Sequence, residues 1–193
     1  MKKRIGVLAL QGDFEAHEKA LAAAGATPVL VRTPEELRHV DGLILPGGES
    51  TAMLNLLHRL EMFEPLREFG KSKAIFGTCA GVILLATRVT HPEQESLDLM
   101  DLTVERNGYG RQIDSSVGEI EPADAFLQRT GPGKLETVFI RAPVILRTGA
   151  GVTVLAEHGG HPVLVEQGRH LGATFHPELS SDVRVHQLFL EKI

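Results

Sequence analysis

Lys73-Ala74-Ile75-Phe76-Gly77-Thr78-Cys79-Ala80-Gly81-Val82-Ile83-Leu84-Leu85 carries the single cysteine of the 193-residue chain. An apolar run with strand character, Ala74 to Phe76, enters Gly-Thr-Cys-Ala-Gly, and an apolar run with helix character, Ala80 to Ala86, leaves it. Strand, sharp turn and helix around one reactive side chain make a nucleophile elbow, with Cys where hydrolases carry Ser. The flanking glycines let two backbones approach closely and tolerate a strained turn. The helix N-terminus turns N–H groups and partial positive charge toward the sulfur, which favours thiolate. A solitary cysteine can equally be a small buried hydrophobe. The elbow makes Cys79 a candidate nucleophile provided that a histidine serves it.

Upstream of the elbow, strands alternate with helices. Ile5 to Leu10 reads as a strand buried on both faces, broken by Gln11-Gly12-Asp13 and followed by a helix from Phe14 to Ala24 that Gly25 stops. Pro28 to Val31 is a second strand. Thr33-Pro34 opens a short helix. Gly42 to Leu45 is a third strand, ending in Pro46-Gly47-Gly48-Glu49-Ser50-Thr51 before a helix from about Ala52 to Leu60. This alternation predicts an α/β fold in three layers, a mostly parallel sheet with helices on both faces. The second half differs. Residues 88–135 are weak in helical periodicity, and short strands are expected at 102–104, 117–120, 137–140, 152–156, 161–166 and 170–174, which suits an antiparallel extension. A closing helix is expected from about Ser181 to Glu191, with Asp182 favouring its N-terminus.

Composition bounds the function. Apolar residues make up 42% and charged residues 23%, and the net charge is −5 with the basic residues scattered, so nothing suggests a nucleic-acid surface. The apolar run after Met1-Lys2-Lys3-Arg4 is too short for a membrane span and lacks a signal cleavage site. One cysteine leaves no internal disulfide and fits a reducing compartment. The expectation is one domain, residues 1–193, in the cytoplasm, with no metal and no cofactor.

A cysteine nucleophile needs a base, and the base needs an orienting group. Of nine histidines, His17, His39, His58 and His186 fall in expected helices and read as surface or packing residues. His176 stands apart because it directly follows a strand and precedes Pro177-Glu178. In α/β sheets, catalytic groups collect beyond the carboxyl ends of strands. Residues at i and i+2 of extended chain share a side, so Glu178 can hold the His176 ring. At the end of the third strand, Gly47 and Gly48 expose backbone N–H groups, as an oxyanion hole requires, and the N–H of Ala80 is the second donor. A phosphate loop is the alternative, but no Gly-Lys pair follows. Glu49 would repel phosphate and attract an amino group.

Pro46-Gly47-Gly48-Glu49-Ser50, Gly77-Thr78-Cys79-Ala80-Gly81 and Phe175-His176-Pro177-Glu178-Leu179, in this order, resemble the class I (triad) glutamine amidotransferases. Leu10-Gln11-Gly12, Glu105-Arg106-Asn107, Gly110-Arg111-Gln112 and Ile140-Arg141-Ala142-Pro143 are similar to the branch that forms the glutaminase subunits of pyridoxal 5′-phosphate synthases. About residues 121–134 nothing is carried over. The resemblance implies a flavodoxin-like sheet and hydrolysis of L-glutamine to glutamate and ammonia through a Cys79 thioester, with His176 as base and Glu178 as its orienter. It implies glutamine binding by Gly48, Glu49, Ser50, Arg106, Ile140 and Arg141. Structural ion pairing is the other reading of Arg106 and Arg141. It implies that Gln11 lies on the edge facing a barrel-shaped synthase subunit and takes part in activation, and that pyridoxal phosphate is the product of that partner. Two other functions stay open: a DJ-1-like or other cysteine hydrolase, and a non-catalytic regulatory subunit.

Overall fold

The computed structural model describes residues 2–107 and 116–193. The Gly110-Arg111-Gln112 motif lies outside them. Strands β1 (Arg4–Leu8), β2 (Thr27–Val31), β3 (Gly42–Leu45) and β4 (Ala74–Thr78) alternate with helices α1 (Phe14–Ala23), α2 (Pro34–Leu37), α3 (Ser50–Arg59) and α4 (Phe63–Ser72). Helix α5 (Ala80–Leu85) follows the elbow. Then come β5 (Ala86–Thr90), β6 (Met100–Glu105), β7 (Ser116–Ile120), α6 (Asp124–Thr130), β8 (Leu135–Phe139), β9 (Val144–Thr148), β10 (Thr153–His158), β11 (His161–Gln167), β12 (His170–Ala173) and α7 (Arg184–Leu190).

The main sheet has seven strands in the order β10-β11-β12-β4-β3-β1-β2. Its β12, β4, β3, β1 and β2 are parallel, and β11 and β10 extend it antiparallel. Side-chain alternation splits each buried strand between two cores. Leu43, Leu45 and Ile75 face one core, with α3, α4 and α5. Ile5, Val7, Ile44 and Phe76 face the other, with Leu21 of α1, Phe126 of α6 and Phe189 of α7. This is the expected three-layer arrangement. A sheet β5-β6-β9 and a hairpin β7-β8 stand beside the main sheet.

Several elements depart from the sequence reading, each for a physical reason. Helix α4 is not signalled because Pro65 and Gly70 interrupt its helical composition, though Phe63 and Leu66 bury one face. The α6 helix spans only seven residues, under two turns, and hangs on Phe126. The apolar run after Cys79 stops being helical at Leu85, and β5 begins at once. Strand β9, flanked by Pro143 and Gly149, buries Val144 and Ile145 in succession and exposes Leu146, so its side chains do not show the alternation that marks a strand. The β1 ladder ends at Leu8, although the Ala9 N–H still donates to the Val31 carbonyl at 2.9 Å.

The α5 helix is seated by its glycine. A Cβ on Gly81 would lie 2.1 Å from the Leu45 carbonyl oxygen, and one on Gly77 would lie 2.5 Å from the Gly81 carbonyl carbon. Both are backbone obstacles that cannot rotate away. Gly118, in the exposed β7, faces open space. We predict that Gly81→Ala costs ~3 kcal/mol or more, or prevents soluble expression, whereas Gly118→Ala changes stability by under about 0.5 kcal/mol. Urea unfolding measures both, and equal values would remove the close approach as a constraint on the elbow.

Candidate active site

Cys79 lies between β4 and α5 with φ 49° and ψ −106°, outside the regions that ordinary residues occupy. Its N–H donates to the Ala173 carbonyl of β12 at 2.8 Å, so the neighbouring strand holds the turn. The side chain is buried. Its sulfur is turned toward the Ile140 carbonyl, 3.9 Å away.

His176 follows β12, and its N–H donates to the Val138 carbonyl of β8 at 2.8 Å. Its Nδ1 lies 2.7 Å from Glu178 Oε1, and both side chains are buried. The route to this pair differs from the extended geometry that the sequence suggested. Pro177–Leu179 form a 3-10 turn, and the tight turn brings the carboxylate back under the ring. His176 Nε2 is buried and makes no well-formed hydrogen bond among the described residues. Burial pushes the His176 pKa down, but Cys79 and Glu178 together pull it up to about 10.

Gly47 comes between Cys79 and His176. A Cβ there would lie 2.5 Å from His176 Cε1 and 3.3 Å from Cys79 Cβ. Gly48 has φ 146° and supports the Gln11 amide, whose Nε2 donates to the Glu49 carbonyl at 3.1 Å. Gly12 is equally constrained, since a Cβ there would meet the Gly47 carbonyl at 1.8 Å. The Gln11-Gly12 turn therefore rests directly on the glycine loop beside Cys79.

A cavity of about 400 Å³ opens over these residues. Gly47, Gly48, Glu49, Ser50, Cys79, Arg106, Ile140, Arg141 and His176 all line it. Gln11 and Ala80 do not; Ala80 contributes only as the first residue of α5. Glu49 is tied down. Its carboxylate caps α3 by accepting from Thr51 N at 3.0 Å and Ala52 N at 2.7 Å, and it also meets Arg106 Nη2 at 3.1 Å. Desolvation works against its charge, but the two backbone donors and Arg106 outweigh it and hold its pKa below the usual range. Arg106 is thus both ion-paired and cavity-lining. Arg141 has φ 42° and no ion-pair partner among the described residues. The Ser50 hydroxyl donates to Gln94 Oε1 at 3.0 Å.

Two histidines read as surface or packing residues are neither exposed nor incidental. His17 and His186 are fully buried behind Glu178. His17 Nε2 lies 3.1 Å from Thr78 Oγ1 and 3.4 Å from Glu178 Oε2, and its Nδ1 lies 3.2 Å from His186 Nε2. Asn107 and Pro143 also line the cavity. Only the apolar neighbours Ala20 and Leu21 hinted at burial around His17, and a helical His beside charged residues gives no sign of its partner.

Comparison with known proteins defines the class. A solved structure described as a glutamine amidotransferase is 45% identical, covers 97% of each chain and superposes with a TM-score of 0.88. A PurLQS structure from Thermotoga maritima shares the fold at 17% identity, with a TM-score of 0.73 and 99% of each chain covered. The chain belongs to the SNO glutamine amidotransferase family, whose sequence profile matches residues 7–193. Among curated relatives, the pyridoxal 5′-phosphate synthase subunit PdxT of Solibacter usitatus is 59% identical, covering 99% of this chain and all of its own. The PdxT of Thermotoga neapolitana is 48% identical, covering 98% of this chain and 99% of its own.

The buried histidines set a pH limit on the fold. Burial holds His17 well below its usual pKa, and His170 and His186 at about 4. Each is neutral when folded and takes up a proton more readily when unfolded. Their contribution to stability is complete above about pH 6.5 and is lost as pH falls toward 4. His176 has the opposite sign: its contribution is complete below 6.5 and is lost as pH rises toward about 10. We predict that the thermal midpoint drops by more than about 3 °C between about pH 7 and pH 5, and that His170→Gln flattens this slope. A midpoint that holds steady to pH 5 would contradict buried neutral histidines.

Proposed function

We propose that this chain hydrolyses L-glutamine to L-glutamate and ammonia and delivers the ammonia to a synthase subunit that makes pyridoxal 5′-phosphate. The observation that carries this reading is the buried His176–Glu178 pair at 2.7 Å beside the strained Cys79, under a cavity that includes the Gly47-Gly48 loop. Cys79 Sγ attacks the side-chain amide carbon as the thiolate, its proton already held by His176, which passes it from Nε2 to the departing ammonia. The C–N bond breaks and a glutamyl thioester remains on Cys79. Water, deprotonated by His176, cleaves it to glutamate. Glu178 holds the ring in the tautomer that presents Nε2.

The N–H groups of Gly47 or Gly48 and of Ala80 are assigned to the oxyanion. Glu49, Ser50, Arg106, Ile140 and Arg141 are assigned to glutamine. Glu49 suits the α-ammonium group, and an arginine suits the α-carboxylate. The ion pair between Glu49 and Arg106 supports a site whose charges are set before substrate arrives.

The partner we assign is a barrel-shaped synthase subunit, consistent with the PdxT relatives being named as pyridoxal 5′-phosphate synthase subunits. Gln11 is assigned to the contact with it, because its amide lies against Gly48 and donates to the Glu49 carbonyl. Movement of that turn on docking reaches the oxyanion loop directly. Among the described residues no helix is long and apolar enough to cross a membrane. We place the protein in the cytoplasm, where the single thiol stays reduced.

The test is glutamate release with and without the synthase subunit. We predict that Cys79→Ala abolishes synthesis from glutamine and leaves synthesis from added ammonium intact. Glutamine-dependent synthesis in that variant would remove Cys79 as nucleophile. Glu178→Gln is expected to lower turnover by roughly 10²-fold while glutamine still binds. Unchanged turnover would remove Glu178 from the triad, and no glutamate release by the wild-type complex would leave only a regulatory role.

A further inference from the structure

We propose that His17 is a positioning residue for the catalytic set, acting through Glu178 and Thr78. The inference rests on the assignment of Cys79, His176 and Glu178 above. Glu178 uses Oε1 to hold His176. Its Oε2 is buried and has no well-formed hydrogen bond among the described residues. A buried carboxylate oxygen without a donor is costly. His17 Nε2 stands 3.4 Å from it, with the side chains of both residues fully shielded from solvent. The same nitrogen lies 3.1 Å from the hydroxyl of Thr78, the residue before the nucleophile. One ring atom from α1 therefore reaches both the strand that carries Cys79 and the turn that carries its base.

The direction of the hydrogen bonds follows from the carboxylate. An ionised carboxylate only accepts. The atom facing it, His17 Nε2, then carries hydrogen, shared between Thr78 Oγ1 at 3.1 Å and Glu178 Oε2 at 3.4 Å. Burial keeps the ring neutral, so Nδ1 is bare and accepts. The neighbour at 3.2 Å, His186 Nε2, must then be the donor. His186 is also buried and neutral, which leaves its Nδ1 without hydrogen, and that atom has no partner among the described residues. The result is a set of donors that converge on Glu178: His186 gives to His17 and His17 faces Oε2 from one side, while His176 Nδ1 gives to Oε1 from the other. The groups around His17 are Thr78 on β4, Glu178 and His176 on and beside the 3-10 turn, His186 on α7, and the edge of Phe76 at 6.4 Å. None of them offers Glu178 Oε2 a second hydrogen.

A packing role and a donor role make opposite predictions for two substitutions. His17→Leu keeps an apolar filling and loses the donor. His17→Gln keeps an N–H near the Nε2 position but buries an amide that is harder to satisfy. In the complex with the synthase subunit, His17→Leu is expected to lower kcat for glutamate release roughly tenfold or more, with KM for glutamine changed by less than about twofold. His17→Gln is expected to recover most of kcat even though its thermal midpoint is the lower of the two. If kcat instead follows the thermal midpoint, or if His17→Leu matches wild type, His17 is only packing and the inference is overturned. A wild-type complex that releases no glutamate overturns the catalytic assignment and this inference with it. A second measurement needs no variant. Histidine ¹⁵N spectra at neutral pH are expected to show His17 as the neutral Nε2–H tautomer, and finding the Nδ1–H tautomer would overturn this set of donors.

Discussion

The backbone of Cys79, at φ 49° and ψ −106°, is the constraint on which the rest of the structure depends. A residue in such a conformation costs on the order of 1–3 kcal/mol and persists only where its surroundings over-determine it. Three contacts do so here. The Ala173 carbonyl accepts the Cys79 N–H, Gly81 lies against the Leu45 carbonyl, and Gly77 lies against Gly81. They draw β12, β3 and α5 to one point. That point is where the carboxyl ends of three neighbouring parallel strands meet. The glycine loop after β3 and the His176 turn after β12 converge on Cys79 because their strands flank β4 in the sheet.

Environment then divides the histidines by role. His176 lies between a sulfur and a carboxylate, and its pKa is raised despite burial. His17 and His186, a few ångströms further in, have no full negative charge to themselves, and burial keeps them neutral. One kind of side chain thus holds a proton at the cavity and stays neutral behind it. Pairs of groups whose surroundings push their pKa values apart mark acid–base machinery more reliably than residue type.

The elbow, the parallel strands and the antiparallel extension were legible in the sequence because each depends on local pattern. Ala74 to Gly81 states its strand, its turn and its helix within eight residues. Glu49 was legible from its place beside the Gly47-Gly48 loop, whereas Arg106 and Arg141 were legible only through resemblance, since spacing does not show which loops meet. Helices α4 and α6 were hidden by Pro65 with Gly70 and by shortness, respectively. His17 could not be read at all. Its partners Thr78, Glu178 and His186 come from three distant segments, and only the packing of α1 and α7 on the same face of the sheet brings them to it.

The central claim is that Cys79 attacks glutamine in the cavity over Gly47. A chloroketone analogue of glutamine tests it most directly, because such a reagent alkylates the thiol that meets the substrate's amide carbon. The account predicts one label per chain, on Cys79 alone by peptide mass spectrometry, with glutamate release lost in proportion and labelling slowed by glutamine. Full labelling with glutamate release intact, or a label on another residue that glutamine protects, would contradict it.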